Sequence, residues 1–216
     1  MLKNEKISAV IFDVDGTILD TMPMWMHVAS DYVKSLGLVC EKDLDKKFLT
    51  ATIDDVVIYM KKTFNLNLSE EEIKQGIENF VSDFYIKDAP MKEGTKELII
   101  SLYNKKIPLV VASSGIKELI EASFKRLGIL QYFNAIFTGS KNDTALFEKC
   151  LNFLGTKACE TFVFEDGLHA IKTAKKLSLK TVCVKDIQEN YAEIETLADY
   201  KIEDFIDFLS LSHLAR

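Results

Sequence analysis

Short runs of apolar, largely β-branched residues recur along the chain, and each ends abruptly at polar residues or glycine. The first run, ISAVIFD at 7–13, is followed directly by Val14, Asp15 and Gly16. Continuous apolar runs of this length are typical of parallel strands that are buried on both faces. The pattern therefore predicts strands at 7–13, 108–112, 135–138, 161–165 and 180–184.

The segments between the later runs have the helical period, with apolar residues three or four positions apart. Ile120, Phe124 and Leu127, for example, share one face of a helix. Because strands and helices alternate, right-handed crossovers would join the strands into one parallel sheet with helices on both faces. The predicted fold class is α/β, a doubly wound, Rossmann-like sheet. Its helices are predicted at 94–105, 115–127, 143–154 and 168–177, with a closing amphipathic helix at 202–211.

A stretch of the chain after the first strand differs, because it contains no strand-like run. It shows helical periodicity at 25–36, 54–64 and 70–85, and Ser69 followed by Glu72 matches a capping box that opens the last of these helices. An insert at this point is expected over the carboxyl ends of the strands, where open α/β sheets bind ligands. The predicted domains are a core, 1–20 with 90–216, and an inserted helical cap, 21–89.

Composition and charge narrow the class of protein. The chain has 216 residues, of which 48% are hydrophobic and 28% charged, as in globular proteins. A net charge of −6 argues against binding to nucleic acid. No run approaches the roughly 20 apolar residues that cross a bilayer, and the N-terminal stretch does not match a secretory signal. The four cysteines form no CxxC pair, which favours reduced thiols. We expect a cytoplasmic monomer that binds neither nucleic acid nor membrane.

The strongest chemical signal lies where the first predicted strand ends. Asp13 and Asp15 flank one residue and are followed by Gly16, which lets the chain turn and re-aim the two carboxylates. Negative charges this close together are costly unless a cation is bound, and oxygen ligands alone favour Mg2+. The same residues also fit an ordinary Asp-Gly turn after a strand.

Polar groups also follow the next three predicted strands. Ser113 and Ser114 precede a helix, where a hydroxyl and backbone N–H groups can cradle a phosphate, although serine is also a common N-cap. Lys141 follows the third strand. Glu165 and Asp166 end the fourth strand. Two carboxylates at the end of an apolar strand are energetically unfavourable unless they coordinate a ligand.

Together these residues resemble the haloacid dehalogenase superfamily. The sequence FDVDGTILDT at 12–21 is similar to the first motif of the family, and more narrowly to its phosphatase and phosphoglucomutase branch with a helical cap after the first strand. The resemblance extends from about residue 7 to 205. The family pattern Lys-Pro-x-Pro-Asp-x-[Phe/Tyr] reads KNDTALF at 141–147 here, so only the lysine and the aromatic residue survive.

The resemblance implies a Mg2+-dependent phosphatase that acts on small phosphorylated metabolites through an aspartyl-phosphate. It implies that Asp13 is the nucleophile and that Asp15 is the general acid and base. The implied Mg2+ ligands are Asp13, Asp15, Asp166 and Glu165, and the implied phosphate-binding residues are Ser113, Ser114 and Lys141.

Three other functions compete with phosphatase activity. In the phosphoglucomutases of this branch, a histidine and an arginine of the cap hold a second phosphate. The matching positions here are Trp25 and Ile53. The loss of both groups favours hydrolysis over a β-phosphoglucomutase-type reaction. A non-catalytic receiver-like phosphoacceptor domain would lack the insert, and a dehalogenase would lack Asp15. Trp25 is a candidate substrate contact, although an aromatic packed between helices is the more common role.

Overall fold

The computed structural model describes residues 5–40, 44–45, 53–64, 66–187 and 191–211. It divides into two compact units. One unit consists of Met1–Thr21 together with Ala89–Arg216, and the other consists of Met22–Asp88. The helices, in chain order, are α1 Met22–Ser35, α2 Ile53–Phe64, α3 Glu70–Lys87, α4 Thr95–Asn104, α5 Lys117–Leu127, α6 Ala145–Leu154, α7 Leu168–Lys176, α8 Tyr191–Leu197 and α9 Phe205–Leu211.

A parallel β-sheet forms the centre of the first unit, and its strands run in the order β3-β2-β1-β4-β5-β6. Their bounds are β1 Ala9–Phe12, β2 Leu109–Ser113, β3 Ala135–Thr138, β4 Thr161–Glu165, β5 Lys180–Val184 and β6 Tyr200–Ile202. The strands β3, β4 and β5 have the predicted bounds. The predicted α/β class with a parallel, Rossmann-like sheet is confirmed.

The C-terminal part of the first unit differs from the prediction. The closing helix, predicted from residue 202, begins only at Phe205, because residues 200–202 form the edge strand β6 and pair with β5. The helix α8 was not predicted either. A strand of three residues and a helix of seven are too short for hydrophobic periodicity to distinguish them from loops.

Both faces of β1 are covered, and its residues are fully buried. Successive side chains of a strand point to opposite faces of the sheet. Ile11 lies in a buried cluster with Phe147 of α6, on one face. Phe12 stacks on Phe164 of β4, with ring centroids 4.9 Å apart, and lies 6.2 Å from the ring of Phe205 in α9. The packing therefore fixes β1 from both sides and, with it, the position of the chain at its carboxyl end.

The order of the strands reverses beside β1. The chain passes from β1 to β2 and β3 on one side and then returns to β4 on the other side. Open α/β sheets bind ligands outside the carboxyl ends of the strands at such a point. Asp13 follows β1 and Asp166 follows β4, so the topology alone brings their backbones to the same edge of the sheet.

The described residues of the second unit include the helices α1, α2 and α3. The predicted capping box opens α3: the backbone N–H of Glu72 donates to Ser69 Oγ at 3.2 Å, and the backbone N–H of Ser69 donates to Glu72 Oε2 at 2.7 Å. Further along α3, the buried ring of Tyr32 from α1 lies against Gly76. A Cβ on Gly76 would lie 2.0 Å from Tyr32 Oη and 2.9 Å from its Cζ.

This contact predicts that Gly76→Ala destabilises the protein. Alanine ordinarily stabilises a helix relative to glycine by about 1 kcal/mol, but here its methyl group would overlap a buried ring, and overpacking costs about 1–3 kcal/mol. Urea unfolding measures the difference. The exposed neighbour Gln75→Ala is the control and should change stability by less than about 0.5 kcal/mol. Tyr32→Phe should recover part of the loss in the Gly76→Ala background. An increase in stability on Gly76→Ala alone would contradict the packing described.

Candidate active site

Three buried carboxylates meet at the edge of the sheet where the strand order reverses. Asp13 directly follows β1, Glu165 is the last residue of β4, and Asp166 comes next. One oxygen from each carboxylate lies within 4.8 Å of the others. The three residues are at most 5% exposed. Burial at such short range makes their mutual repulsion expensive, so the site needs compensating positive charge.

Lys141 supplies part of that charge. It lies between β3 and α6, and its side chain is only 3% exposed. Its Nζ contacts Asp13 Oδ1 and donates to Glu165 Oε2 at 2.8 Å. Burial opposes the charge of Lys141, but the two carboxylates outweigh it and raise the pKa of the ammonium above its ordinary value. Lys141 is therefore a cation that bridges the carboxyl ends of β1 and β4.

The charge of the site is still not balanced by one lysine. Burial, followed by the negative charge of Asp13, raises the pKa of Glu165 to about 7, although Lys141 and the backbone N–H of Gly167 act in the opposite direction. Gly167 donates that hydrogen bond to Glu165 Oε1 at 3.1 Å. Both oxygens of Glu165 thus have partners. The carboxylates of Asp13, Glu165 and Asp166 together form an oxygen-only donor set that could hold a metal ion, and such a set suits Mg2+.

Gly16 makes this crowding possible. Its φ of 76° is in the left-handed region that favours glycine. A Cβ there would lie 2.2 Å from Asp166 Oδ2, so any side chain would displace that carboxylate. The turn after β1 therefore requires glycine for two reasons: its backbone conformation is left-handed, and the carboxylate of Asp166 lies too close for a side chain.

The carboxylate of Asp15 points elsewhere and does not join the group of Asp13, Glu165 and Asp166. Its Oδ1 accepts a hydrogen bond from Thr21 Oγ1 at 2.8 Å. Its Oδ2 would lie 3.5 Å from a Cβ on Gly115, and Ser113 Oγ would lie 3.2 Å from the same point. The turn at Gly16 thus places Asp15 beside the end of β2 rather than among the other acids.

The end of β2 is a tight turn into α5. Ser113 is buried and its Oγ accepts a hydrogen bond from the backbone N–H of Gly115 at 2.9 Å. The hydroxyl proton of Ser113 remains able to donate to another group. Ser114 is exposed.

Trp25 belongs to the second unit. Its indole N–H donates to Tyr85 Oη at 3.0 Å, and 39% of the residue is exposed. The polar group of Trp25 is therefore engaged within the unit, while part of the ring faces solvent. The side chain of Ile53 lies outside the described residues.

Two features around the site were not predicted from the sequence. Thr21 was part of the motif at 12–21 but received no role, and the structure shows that it orients Asp15. Lys92 and Asp186 form an ion pair of 2.6 Å, which no motif indicated. The signal for Asp186 was its position, two residues after the fifth predicted strand, where the other strand-end acids also lie.

Comparison with known proteins identifies the family. The model of the haloacid dehalogenase-like hydrolases matches residues 10–184, so the chain belongs to that family and is a hydrolase enzyme. It is 22% identical over 212 residues to the phosphorylated carbohydrates phosphatase of Thermotoga maritima, covering 94% of this chain and 98% of the relative.

Solved structures show the same fold. A candidate beta-phosphoglucomutase of Thermotoga maritima has a TM-score of 0.83 at 20% identity, with 95% of this chain and 98% of that chain covered. CbbY of Rhodobacter sphaeroides, in complex with phosphate, has a TM-score of 0.70 at 19% identity, with 94% and 96% covered. Within the described residues, no helix is both long and apolar enough to span a membrane.

The ion pairs of Lys141 predict a large loss of stability for Lys141→Met in metal-free protein. Methionine keeps the apolar stem but leaves Asp13 and Glu165 buried without their cation, and breaking a buried pair in this way costs about 3 kcal/mol or more. Chemical denaturation with a chelator present measures the loss. Lys125→Met, at an exposed position of α5, is the control and should stay within about 0.5 kcal/mol of the wild type. Equal effects in the two variants would refute the charge balance.

Proposed function

We propose that this hydrolase is a Mg2+-dependent phosphatase that cleaves phosphate monoesters of small metabolites through an aspartyl-phosphate on Asp13. The observation that carries the proposal is the buried set of Asp13, Lys141, Glu165 and Asp166 at the point where the strand order reverses. The relative from Thermotoga maritima is named for phosphorylated carbohydrates, which supports sugar phosphates or similar metabolites as the substrate class.

The donor set fits the proposed ion. Asp13 and Asp166 would bind it directly, and Glu165, whose oxygens are held by Lys141 and Gly167, would act through water. Because the carboxylate of Asp15 lies apart from this group, its contribution would come from its main-chain carbonyl. A Mg2+ ion bound there would neutralise charge on the transferring phosphoryl group.

In the first half of the proposed reaction, Lys141 holds one carboxylate oxygen of Asp13. The other oxygen attacks phosphorus, the bond to the substrate alkoxide breaks, and Asp15 donates its proton to that leaving group. Thr21 orients the carboxyl group of Asp15 through the hydrogen bond that its hydroxyl donates to Oδ1.

In the second half, Asp15 takes a proton from the water that hydrolyses the aspartyl-phosphate, which returns both residues to their starting states. The Ser113 hydroxyl and the Lys141 ammonium would bind the phosphoryl oxygens during both halves. Ser114, which is exposed in the same turn, is proposed to complete this phosphate site. The helical unit Met22–Asp88 is proposed as a cap that supplies substrate specificity, with Trp25 as a candidate contact.

A phosphomutase of the beta-phosphoglucomutase type is the alternative, since a solved structure of this fold carries that name. A mutase transfers the phosphoryl group back to a sugar rather than to water. Product analysis distinguishes the two reactions, because only hydrolysis releases inorganic phosphate in step with loss of the substrate.

The nucleophile is tested by Asp13→Asn, which keeps the shape of the side chain but removes its nucleophilic oxygen. We expect phosphate release from a panel of sugar phosphates with Mg2+ to fall by about a thousandfold or more. Asp83→Asn, which removes one partner of an exposed ion pair with Lys87 in α3, should keep full activity. Acid-quenched wild type should carry a phosphoryl group on the peptide that contains Asp13. Retained turnover in Asp13→Asn, with a normal circular dichroism spectrum, would disprove the assignment.

A further inference from the structure

A second pair of opposite charges lies close to the acid cluster. Lys92, just before α4, has its Nζ 2.6 Å from Asp186 Oδ2, in the segment that follows β5. Their side chains are only 13% and 3% exposed. Lys92 Nζ also donates to the backbone carbonyl of Lys185 at 2.6 Å. The ammonium is thus held in the segment after β5 by two contacts.

The position of Gly16 shows how near this pair is to the proposed ion site. A Cβ on Gly16 would lie 2.2 Å from Asp166 Oδ2 and 3.0 Å from Asp186 Oδ2, so the two carboxylates approach the same point in space. Asp186 therefore neighbours Asp166 on one side and Lys92 on the other. Without the carboxylate of Asp186, the positive charge of Lys92 would act on the region of Asp166 without compensation.

We propose that Asp186 and Lys92 are positioning residues: the carboxylate of Asp186 compensates the charge of Lys92 and so limits the repulsion between this ammonium and a divalent cation at Asp166. The inference rests on the proposed function, because it assigns a role toward the same ion. It also gives the segment after β5 a role at the ion site, because Asp186 in this segment supplies the compensating carboxylate. The strand β5 itself contributes no residue to the cluster of Asp13, Glu165 and Asp166.

The pair has a second structural consequence in the same unit. The backbone N–H of Lys92 donates to the carbonyl of Ile18 at 3.0 Å, and Asp20 N–H donates to the carbonyl of Pro90 at 2.9 Å. Lys92 therefore belongs to the segment that pairs with the chain just after the Asp13 motif. The ion pair ties that segment to the end of β5, so a purely structural role must be separated from the electrostatic one by experiment.

The experiment is a charge cycle read out as Mg2+ affinity by isothermal titration calorimetry, with no substrate present. Asp186→Asn should weaken Mg2+ binding about tenfold, because the positive charge of Lys92 is then no longer compensated and opposes the ion. Lys92→Met removes the competing cation and should leave the affinity unchanged or higher. The double variant Lys92→Met with Asp186→Asn should return to within about twofold of the wild type.

The control is Glu203→Gln, which breaks the ion pair with Lys185 beside the same strand end, at 2.5 Å but with side chains 49% and 64% exposed. It should not change Mg2+ affinity. If the pair has a purely structural role, Asp186→Asn, Lys92→Met and the double variant should all lose the same amount of Mg2+ affinity, and that result would overturn the proposal. An unchanged Mg2+ affinity in Asp186→Asn would also overturn it. Thermal unfolding of each variant checks that it is folded. Failure of the wild type to bind Mg2+ would instead contradict the proposed function, and the role of the pair with it.

Discussion

The structure of the site depends on how the buried negative charge of the acid cluster is balanced. Asp13, Glu165 and Asp166 are brought within reach of a single ion, in a place where solvent cannot screen them. Lys141 compensates part of the charge through its contacts with Asp13 and Glu165. The pKa of Glu165 rises to about 7, chiefly through burial and then through the negative charge of Asp13, although Lys141 acts in the opposite direction. In the proposed function, a divalent ion would compensate the remaining charge of the three carboxylates.

Core packing and strand topology fix the positions of the residues that take part in this charge balance. Both faces of β1 are buried, which makes the position of Asp13 a consequence of core packing rather than of a flexible loop. The return of the chain from β3 to β4 then places Glu165 and Asp166 beside it. Gly16 allows the close approach of Asp166, and Thr21 turns Asp15 toward the end of β2. Separate carboxylates can therefore take separate roles, although Asp13 and Asp15 are only two positions apart.

Much of this arrangement could be predicted from the sequence. The apolar runs predict the strands, and the acids that follow these runs indicate candidate site residues at the carboxyl ends of the strands. The positions of Asp13, Lys141, Glu165 and Asp166 at one sheet edge follow from that pattern and from parallel topology. The edge strand β6 and the helix α8 could not be predicted, since they are too short to show a period. The orientation of Asp15 was also beyond reach, because it depends on a hydrogen bond from Thr21. The pair of Lys92 and Asp186 joins residues 94 positions apart and has no sequence signature.

In the proposed site, Lys141 and a divalent ion together compensate the charge of the three acids. The most direct test is a crystal of the wild type soaked with Mn2+ and measured by anomalous diffraction. We expect an ion between the carboxylates of Asp13 and Asp166, with Lys141 still in contact with Glu165. A fully occupied ion elsewhere, or an empty cluster at saturating Mn2+, would contradict it.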